Sequence, residues 1–418
     1  VNLPCKQYVN GAKRLGGEHA MPEYDPYAYE MHEDPYPTYA ALRAEAPLYR
    51  NERLGFWALS RHVDVMAGFR DIAKFSNRNG VSLDPASSHP RAHAMMSFLA
   101  LDPPRHTRMR ALVSRGFTPR RIAELEPRIR EIANGHIDRF VASGRCDFIK
   151  DFAGKFPMDV ISEMLGVPEA DRDQLRAWAD TVVHREEGMT DVPPAGMEAA
   201  MHMLGYFGQL VADHRAHSRD DLTAALLAAE IDGDRLDDVE ILGFLFLMII
   251  AGNETTTKLL GNAVYWLWRN PDQRRLVAQD PTLIPRWIEE TLRYDGSTQA
   301  LARTVVGDLE LHGRTMRDGD RVVLLVGSAN RDERVFAEAD HYDILRDTTA
   351  MLSFGQGTHF CLGAALARLE ARVALEEVQR RFPDYAIDAA GMARVHSVNV
   401  RGFAALPITF TPTGEAGR

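Results

Sequence analysis

Helical periodicity runs through most of the 418-residue sequence and is interrupted only by short polar breaks. Strand patterns are confined to short pieces at 48–50 with 56–59, at 303–325 around the turn RDGD, and at 403–410. No Gly/Ser/Pro-rich linker divides the chain. We therefore predict a mainly α fold with a small β region, formed by a single domain over residues 26–418 that follows an N-terminal extension over residues 1–25.

Charge and cysteine content exclude several classes of protein. The formal net charge of −10 argues against a nucleic-acid binder, whose surface must compensate phosphate charge. Cys5, Cys146 and Cys361 lie far apart with no CxxC pair, so neither a disulfide framework nor a zinc ribbon is indicated. The N-terminus has no apolar core of signal-peptide length, and no uninterrupted apolar segment has membrane-helix length. These features predict a cytoplasmic protein without a membrane anchor.

The longest helical pattern covers residues 239 to about 268 and changes composition abruptly in its middle. There the apolar run ILGFLFLMII is followed by AGNETTT, which is rich in poor helix formers. A threonine hydroxyl can bond the carbonyl one turn back and loosen the helical ladder. From the residues alone, a local widening and a helix end or kink are both open. Residues 76–101 show no clear pattern, and a loop of that length in a compact domain is usually functional or disordered.

One cysteine has unusual neighbours. Cys361 lies in FGQGTHFCLG, a glycine-rich loop that directly precedes a strong helical pattern, so its thiol is expected near a helix N-terminus, where a thiolate is favoured. Two roles remain open: the nucleophile of a cysteine hydrolase with His359 as its base, or an axial ligand of haem iron. For Cys5 and Cys146 we expect inert, small hydrophobic residues.

Two further motifs place charged residues on one helical face. Glu290 and Arg293 are three residues apart in WIEETLRYDG, where such pairs are usually exposed and weak. His106 and Arg110 are four residues apart in LDPPRHTRMR, so both side chains can reach one anion, although simple solvation of the surface is the ordinary interpretation.

Taken with the cysteine loop, these motifs resemble the cytochrome P450 superfamily. Phe354, Gly355, Gly357, His359, Cys361 and Gly363 match its haem-binding loop, although many members have arginine in the place of His359. AGNET matches the AGxET motif of the long central helix, ETLR matches ExxR, and HTRMR matches HTxxR, all in family order. The sequence is thus identified as similar to soluble bacterial haem-thiolate monooxygenases, with the cofactor between the long central helix and the cysteine loop.

The resemblance implies a role for each matching residue. The cofactor would be haem b, iron protoporphyrin IX, with Cys361 as the iron ligand and with propionate contacts from His106, Arg110, Arg303 and His359. Phe354, Gly355, Gly363 and Ala251 would also border the haem. Thr255 and Glu254 would be the catalytic pair that controls proton delivery to bound oxygen. Glu290, Arg293 and Arg346 would form a buried structural ion pair with a third member.

The same resemblance implies a hydrophobic substrate, namely a lipid, terpenoid, steroid or polyketide, that is hydroxylated or epoxidised with O2. Its predicted contacts are Met95, Met96, Phe98, Leu99, Leu247, Ile250, Ala251, Gln299, Ala300, Leu301, Val398 and Asn399.

Because the chain carries no flavin or nicotinamide fingerprint, we expect electrons from a separate acidic ferredoxin and its reductase. The ferredoxin would dock on a basic patch made of Arg105, Arg108, Arg110, Arg115, Arg120 and Arg121, together with Arg368 and Arg372. The protein is expected to be a monomer.

Three alternatives stay open. The first is a member of the same family that is driven by peroxide or rearranges its substrate, but Glu254 and Thr255 argue against it because a peroxide user does not need their proton relay. The second is a haem-based ligand-binding or sensor protein without turnover. The third is a cysteine hydrolase without haem.

Overall fold

The computed structural model describes residues 23–85, 88–186 and 189–413, so Cys5 and most of the predicted N-terminal extension lie outside the described residues. The described helices are α1 Tyr29–Glu33, α2 Tyr36–Glu45, α3 His62–Arg70, α4 His93–Met96, α5 Arg105–Val113, α6 Pro119–Glu124, α7 Glu126–Asp138, α8 Phe156–Met164, α9 Glu169–Val183, α10 Pro194–Ala216, α11 Leu222–Ala228, α12 Asp238–Arg269, α13 Pro271–Gln279, α14 Ile284–Asp295, α15 Val326–Ala329 and α16 Ala364–Arg381. The described strands are β1 Leu48–Asn51, β2 Phe56–Leu59, β3 Phe75–Ser76, β4 Arg145–Asp147, β5 Glu230–Ile231, β6 Asp234–Arg235, β7 Ala300–Val305, β8 Leu309–Leu311, β9 Arg314–Met316, β10 Arg321–Leu325, β11 Tyr385–Ile387, β12 Ala393–Arg394, β13 Phe403–Ala405 and β14 Pro407–Phe410. The predicted mainly α fold with a small β region is confirmed.

Helix α12 is the longest described element, with 32 residues. At 1.5 Å per residue its length is about 48 Å, enough to cross a whole domain. It begins at a capping box, in which Asp237 accepts from the Glu240 N–H at 2.8 Å and the Glu240 carboxylate accepts from the Asp237 N–H at 3.1 Å. Its bounds agree with the predicted 239–268 to within one residue, and the helix continues through AGNETTT instead of ending there.

Helix α12 is apolar because it is buried, not because it crosses a membrane. It is the one helix of the described residues that is long and apolar enough to do so, but 56% of its most apolar 18-residue window is buried inside the protein. Helices α4, α8, α10, α14 and α16 all pack against it. Gly243 permits a close approach of α4, since a Cβ there would lie 2.7 Å from the carbonyl oxygen of Ala94. Helix α4 and the loop around it are thereby held directly against α12.

The main sheet has five strands in the order β1-β2-β10-β7-β3, with β2 and β10 parallel and the other pairs antiparallel. Alternation along β7 divides its side chains between two faces. Ala300 packs with Val323 and Leu325 in one core cluster, whereas Leu301 packs against the cluster on the opposite face. Arg303, two residues further, shares the face of Leu301. This division decides which residues of β7 can reach the interior cavity described next.

Candidate functional site

An interior cavity of about 440 Å3 lies between α12, the cysteine loop, the 76–101 segment, β7 and the end of α9. Most of the predicted site residues line it together: Met95, Met96, Phe98, Leu99, Arg110, Leu247, Ile250, Ala251, Glu254, Thr255, Leu301, Arg303, Phe354, Gly355, His359, Cys361, Gly363, Val398 and Asn399. The structure therefore brings the separate motifs of the sequence to a single place. Segment 76–101, whose pattern was uninformative, contributes one wall.

The cysteine loop is held by backbone hydrogen bonds and two left-handed glycines. The Cys361 N–H donates to the Phe354 carbonyl at 2.9 Å, which closes the loop. Gly355 and Gly357 have φ values of +69° and +71°, a region that side-chain-bearing residues rarely adopt. Helix α16 begins at Ala364 with Gly363 as its N-cap residue, so Cys361 lies at the start of a helix, as predicted.

Burial decides the protonation of the Cys361 thiol. It raises the pKa of Cys361 above its ordinary value, while the backbone N–H of Gly363 and the charges of Arg110 and Arg368 act in the opposite direction. Since Cys361 lines the cavity, its exposed surface faces the interior. A nucleophilic cysteine needs a lowered pKa and a base in contact, yet among the described residues no hydrogen bond joins His359 to this sulfur. This environment does not favour a nucleophilic cysteine. It is better suited to a thiolate whose charge is stabilised by a metal cation.

Four cationic or titratable donors cluster beside the cysteine loop: His106, Arg303 and His359 are buried, and Arg110 is half-buried. His106 and Arg303 are each 2% exposed, and the rings of His106 and His359 lie 4.1 Å apart. Within the described residues, the two ring nitrogens of His106 have no hydrogen-bond partner, and Nη1 of Arg110 has none either. Such a group of buried donors is costly unless an anion satisfies it. The two carboxylates of a haem fit this donor set, and the cysteine fits its iron.

The pKa values in this cluster show that its positive charge is incompletely compensated, although Asp102 acts to raise the pKa of His106 and of Arg303. Burial, with a further contribution from Arg110, lowers the pKa of His106 to about 4. Burial, together with His106 and the two arginines, lowers the pKa of His359 to about 2. Burial and the nearby Arg321 lower the pKa of Arg303 to about 10. Every shift disfavours positive charge, so binding of an anion here would relieve all of them.

Thr255 is oriented by two hydrogen bonds at the middle of α12. Its hydroxyl donates to the Ala251 carbonyl at 2.7 Å, which is the bond to the preceding turn that the sequence predicted. Its own carbonyl accepts from the Ser297 hydroxyl at 2.6 Å. Because the Thr255 hydroxyl proton is used within the helix, the lone pairs of Oγ1 remain to accept a hydrogen bond from the cavity.

Two residues predicted as substrate contacts do not line the cavity. Gln299 does not line the described cavity, since its amide nitrogen donates to the Gly296 carbonyl at 2.8 Å and its side chain borders a different, small pocket near Tyr24. Ala300 also fails to line it, because the alternation of β7 turns Ala300 into the core cluster on the other face of the sheet. Leu301 lies on the opposite face of the sheet from Ala300, and it reaches the cavity together with Arg303.

The sequence interpretation missed one wall of the cavity. Helices α9 and α10 and the segment between them contribute Val182, Val183, Arg185, Val192, Met197 and Ala200. The apolar spacing on α9 indicates a buried stripe but does not say what the stripe faces. Arg185 also makes a bidentate ion pair with Asp84, at 3.2 and 3.0 Å, which joins this wall to the 76–101 segment.

The ETLR motif forms a buried ion pair behind the cavity. Arg293 donates to both carboxylate oxygens of Glu290 at 2.7 Å, and both side chains are 0% exposed. Arg346 lies 3.5 Å from Glu290 as a third member, at a distance too long for a good hydrogen bond. The Arg293 guanidinium also donates to the carbonyls of Asn330, Ala339 and His341.

A second buried acid, Asp295 at the end of α14, was not identified from the sequence. It accepts from Tyr36 Oη at 2.6 Å, Trp266 Nε1 at 2.8 Å and Arg401 Nε at 2.8 Å. Although burial acts to raise its pKa, Arg401 and Arg394 hold the pKa of Asp295 well below its usual range. This carboxylate connects the first helices, α12 and the C-terminal segment, which no local pattern could indicate.

The predicted basic docking patch is largely neutralised. Four of its arginines form ion pairs: Arg108 with Asp234 and Glu240, Arg120 with Glu124, Arg368 with Glu289, and Arg372 with Glu126 and Glu376. Arg110 faces the cavity, and Arg115 donates to the backbone carbonyl of Glu230. Arg105, Arg115 and Arg121 of the predicted run are exposed and have no acidic side-chain partner among the described residues. Glu124 follows Arg120 by one helical turn, but Asp234 and Glu240, the partners of Arg108, come from a distant part of the chain and could not be seen in the arginine-rich run itself.

Comparisons with known proteins agree with this geometry. The family described as Cytochrome P450 matches residues 202–383. Cytochrome P450 123 from Mycobacterium tuberculosis is 58% identical, over 92% of this chain and 96% of its own length. Vitamin D(3) 25-hydroxylase from Pseudonocardia autotrophica is 40% identical over 93% of this chain and 97% of its own length. The crystal structure of CYP109E1 from Bacillus megaterium in complex with testosterone has a TM-score of 0.85 and 32% identity, covering 91% of this chain and 98% of that chain.

Proposed function

The chain belongs to the cytochrome P450 family and is a P450 monooxygenase, and from that premise we propose that it binds haem b and hydroxylates or epoxidises a large hydrophobic molecule. The observation that carries the proposal is the meeting of Cys361 and a buried donor cluster without an anion in one cavity. Cys361 would hold the iron through its sulfur, which the Gly363 N–H supports. His106, Arg110, Arg303 and His359 would hold the two propionates.

The remaining residues around the haem would fix its position by packing. Phe354, Gly355 and Gly363 belong to the loop that presents Cys361, and Ala251 faces the cavity from α12. A Cβ at Gly355 would lie 3.5 Å from the ring of Phe69, so the loop lies close to α3. Bound haem supplies the activation of dioxygen with two electrons and two protons. What this chain adds is orientation, exclusion of bulk water and control of protons.

Thr255 and Glu254 are the proposed proton-handling residues. Thr255 Oγ1 offers lone pairs to the cavity because its proton is donated to Ala251, so it would hold a water molecule with that water's proton facing Oγ1. Glu254 lines the same cavity, is 5% exposed, and would supply protons to that water from its carboxyl group. A relay of this kind favours oxygen as the oxidant over peroxide.

The proposed substrate is large and mainly apolar, as a steroid, terpenoid, lipid or polyketide is. The part of the wall that would contact it carries methyl, thioether and aromatic groups from Met95, Met96, Phe98, Leu99, Leu247, Ile250, Leu301 and Val398. Unbranched methionine side chains can adapt to more than one ligand shape. The named relatives support this class, since vitamin D3 and testosterone are both large and mostly apolar.

We propose a separate ferredoxin with its reductase as the electron donor, acting on a cytoplasmic monomer. The curated relatives match this chain over 96–97% of their own length. The docking site is better placed at an open groove of about 600 Å3 next to the cysteine loop than on the predicted arginine run. That groove contains the exposed Phe360, one residue from Cys361, and the exposed Arg286, which donates to the Leu345 carbonyl.

The absorption spectrum of the purified, reduced, CO-bound protein tests the cofactor assignment. A strongly red-shifted Soret band is expected for cysteine thiolate ligation, and Cys361→Ala is expected to abolish it. A histidine-type carbonyl spectrum, or an unchanged spectrum in Cys361→Ala, would refute the ligand assignment. Titration with steroids, terpenoids and fatty acids, followed by turnover with ferredoxin and reductase or with peroxide alone, then tests the substrate class and the oxidant.

A further inference from the structure

One wall of the interior cavity carries a charged pair among apolar side chains. Asp84 and Arg185 both line the cavity, and their side chains are 3% and 12% exposed. The rest of this wall, from α9, α10 and the segment between them, is apolar and contains Val182, Val183, Val192, Met197 and Ala200. Among the described residues, every other arginine or carboxylate side chain that lines the cavity belongs to α5, α12, α16 or β7. The pair is therefore a separate polar site on this wall.

Arg185 is held in place by four hydrogen bonds. Its Nε and Nη2 donate to the two carboxylate oxygens of Asp84 at 3.2 and 3.0 Å. Its Nη1 donates to the carbonyls of Val182 and His184 at 2.9 and 2.8 Å, where α9 ends. A cation in this position binds the last carbonyls of the helix and is favoured by the helix dipole. The guanidinium is therefore oriented before any ligand binds.

Asp84 is held from the other side by the main sheet. Ser82 Oγ donates to Asp84 Oδ2. The Ser82 carbonyl accepts from Arg321 of β10 at 2.6 Å, and the preceding Val81 carbonyl accepts from the Ala302 N–H of β7 at 2.7 Å. The carboxylate thus connects the sheet to the end of α9. A site whose groups are ordered in advance loses less entropy when it binds a ligand.

The guanidinium keeps one donor that these contacts do not use. An arginine has five N–H groups, and the four hydrogen bonds of Arg185 leave one N–H on Nη2. No described residue accepts a hydrogen bond from that remaining N–H, and Arg185 borders the cavity. A buried donor is costly unless an oxygen accepts from it. This wall therefore offers a directed hydrogen bond in addition to apolar surface.

The charges of the pair decide which ligand group fits. A carboxylate on the ligand would be repelled by Asp84, and an ammonium group by Arg185 itself. An uncharged hydroxyl or carbonyl oxygen accepts the hydrogen bond without adding a buried charge. We infer that Arg185 is a specificity-determining residue that binds such an oxygen on an otherwise apolar substrate, and that Asp84 is its positioning residue. The inference rests on the proposed function, because it refines the substrate class of the same cavity.

Equilibrium dialysis of the holoprotein with androstane and its two monoketones, which carry the oxygen on ring A or on ring D, tests the hydrogen bond. In Arg185→Met we expect the affinity for at least one ketone, divided by the affinity for androstane, to fall about tenfold, because the hydrocarbon cannot use the donor. Asp84→Asn should lower the same ratio less, since Arg185 remains but is held less firmly. Arg176→Met should leave the ratio unchanged, because Arg176 is an arginine of α9 that pairs with Asp173 and does not line the cavity.

The ratio separates recognition of the oxygen from a general loosening of the wall, since loosening weakens the binding of all three steroids alike. An unchanged ratio for both ketones in Arg185→Met, although all three steroids bind, overturns this inference alone. If the wild-type holoprotein binds none of the three, the proposed substrate class is refuted, and the inference with it.

The position of oxidation tests the same contact in the wild type, without a substitution. A bound oxygen fixes the orientation of the substrate, so moving the ketone from one end of the steroid to the other should turn the molecule round. We expect the ring A ketone to be oxidised towards ring D and the ring D ketone towards ring A. Arg185→Met should lose this difference while Arg176→Met keeps it. Oxidation of both ketones at the same ring by the wild type would overturn the inference.

Discussion

Adjacent glutamates on α14 provide an internal comparison of a buried and an exposed ion pair. Glu290 is 0% exposed and pairs with Arg293, whereas Glu289 is 27% exposed and pairs with Arg368, itself 38% exposed. Both carboxylates make bidentate contacts with arginine, at 2.7 and 2.7 Å for Glu290 and at 2.6 and 2.9 Å for Glu289. The substitution glutamate to glutamine can therefore be made twice, with nearly equal geometry and opposite burial.

The two substitutions should differ several-fold in their cost. In Glu290→Gln an amide N–H2 replaces one acceptor, so Arg293 and Arg346 remain in the interior without an anion, and the expected loss in the free energy of unfolding is about 3–5 kcal/mol. The Asp343 N–H, which donates to Glu290 at 2.9 Å, also faces a weaker acceptor or a donor. In Glu289→Gln the solvent replaces the lost charge, and the expected loss is about 0.2–1 kcal/mol.

Urea unfolding of the wild type and the two variants, followed by far-ultraviolet circular dichroism, measures both losses in the same buffer. The free energy of unfolding of a domain is commonly about 5–15 kcal/mol, so the Glu290→Gln change should be large and easily resolved. Haem absorbance recorded in parallel reports whether the cofactor site is lost with the fold. Equal shifts in the two variants would refute the reasoning, because they would mean that burial does not determine the value of these pairs.

Three further predictions concern the cavity and its supports. Arg303→Gln should speed the transfer of haem to an acceptor protein, because one charge-assisted hydrogen bond worth about 1.5–3 kcal/mol is lost while the fold is retained; an unchanged transfer rate would exclude a propionate contact. Arg185→Gln, which breaks the ion pair with Asp84, should increase the rate of ligand binding in stopped-flow absorbance, and a rate equal to that of the wild type would contradict a closing role for this pair. Because the pKa of Asp295 is lower in the folded protein than in the unfolded chain, its stabilisation is complete above about pH 4 and is lost as the pH falls further; Asp295→Asn should flatten the acid limb of stability measured against pH, and an acid limb as steep as in the wild type would contradict this.

Local patterns predicted those parts of the molecule that local patterns determine. The bounds of α12 follow from the apolar run and its capping acids, and the position of Cys361 before α16 follows from the glycines and the helical pattern after it. The face of β7 was not determined in this way. Period-two alternation says that Ala300 and Leu301 point in opposite directions, but which of them meets the cavity depends on the packing of the whole sheet.

Charge partners that are distant in sequence were the main source of error. The arginine run 105–121 carries no acid in itself, yet Asp234 and Glu240 of a later segment neutralise Arg108, so only part of the run is a free basic surface. Asp295 was missed for the same reason, since its partners Tyr36 and Arg401 lie more than one hundred residues away on either side. Pairing of this kind is set by tertiary packing and leaves no spacing pattern to detect.

The cavity has two electrostatically different sides, and the difference constrains what each can do. Beside the cysteine loop, the buried His106 and Arg303 and the half-buried Arg110 have no hydrogen-bonded anion among the described residues, so this side gains stability by binding one. On α12, Glu254 and Lys258 already neutralise each other, so this side gains little from a bound ion, and it is the side on which we propose that protons arrive. An anionic cofactor would therefore be held by one side while protons arrive at the other. Exchanging these two arrangements would leave a cofactor without counter-charges and an acid that the neighbouring cations keep ionised, with no proton to donate, which is why we expect the two functions to lie on separate sides of the cavity.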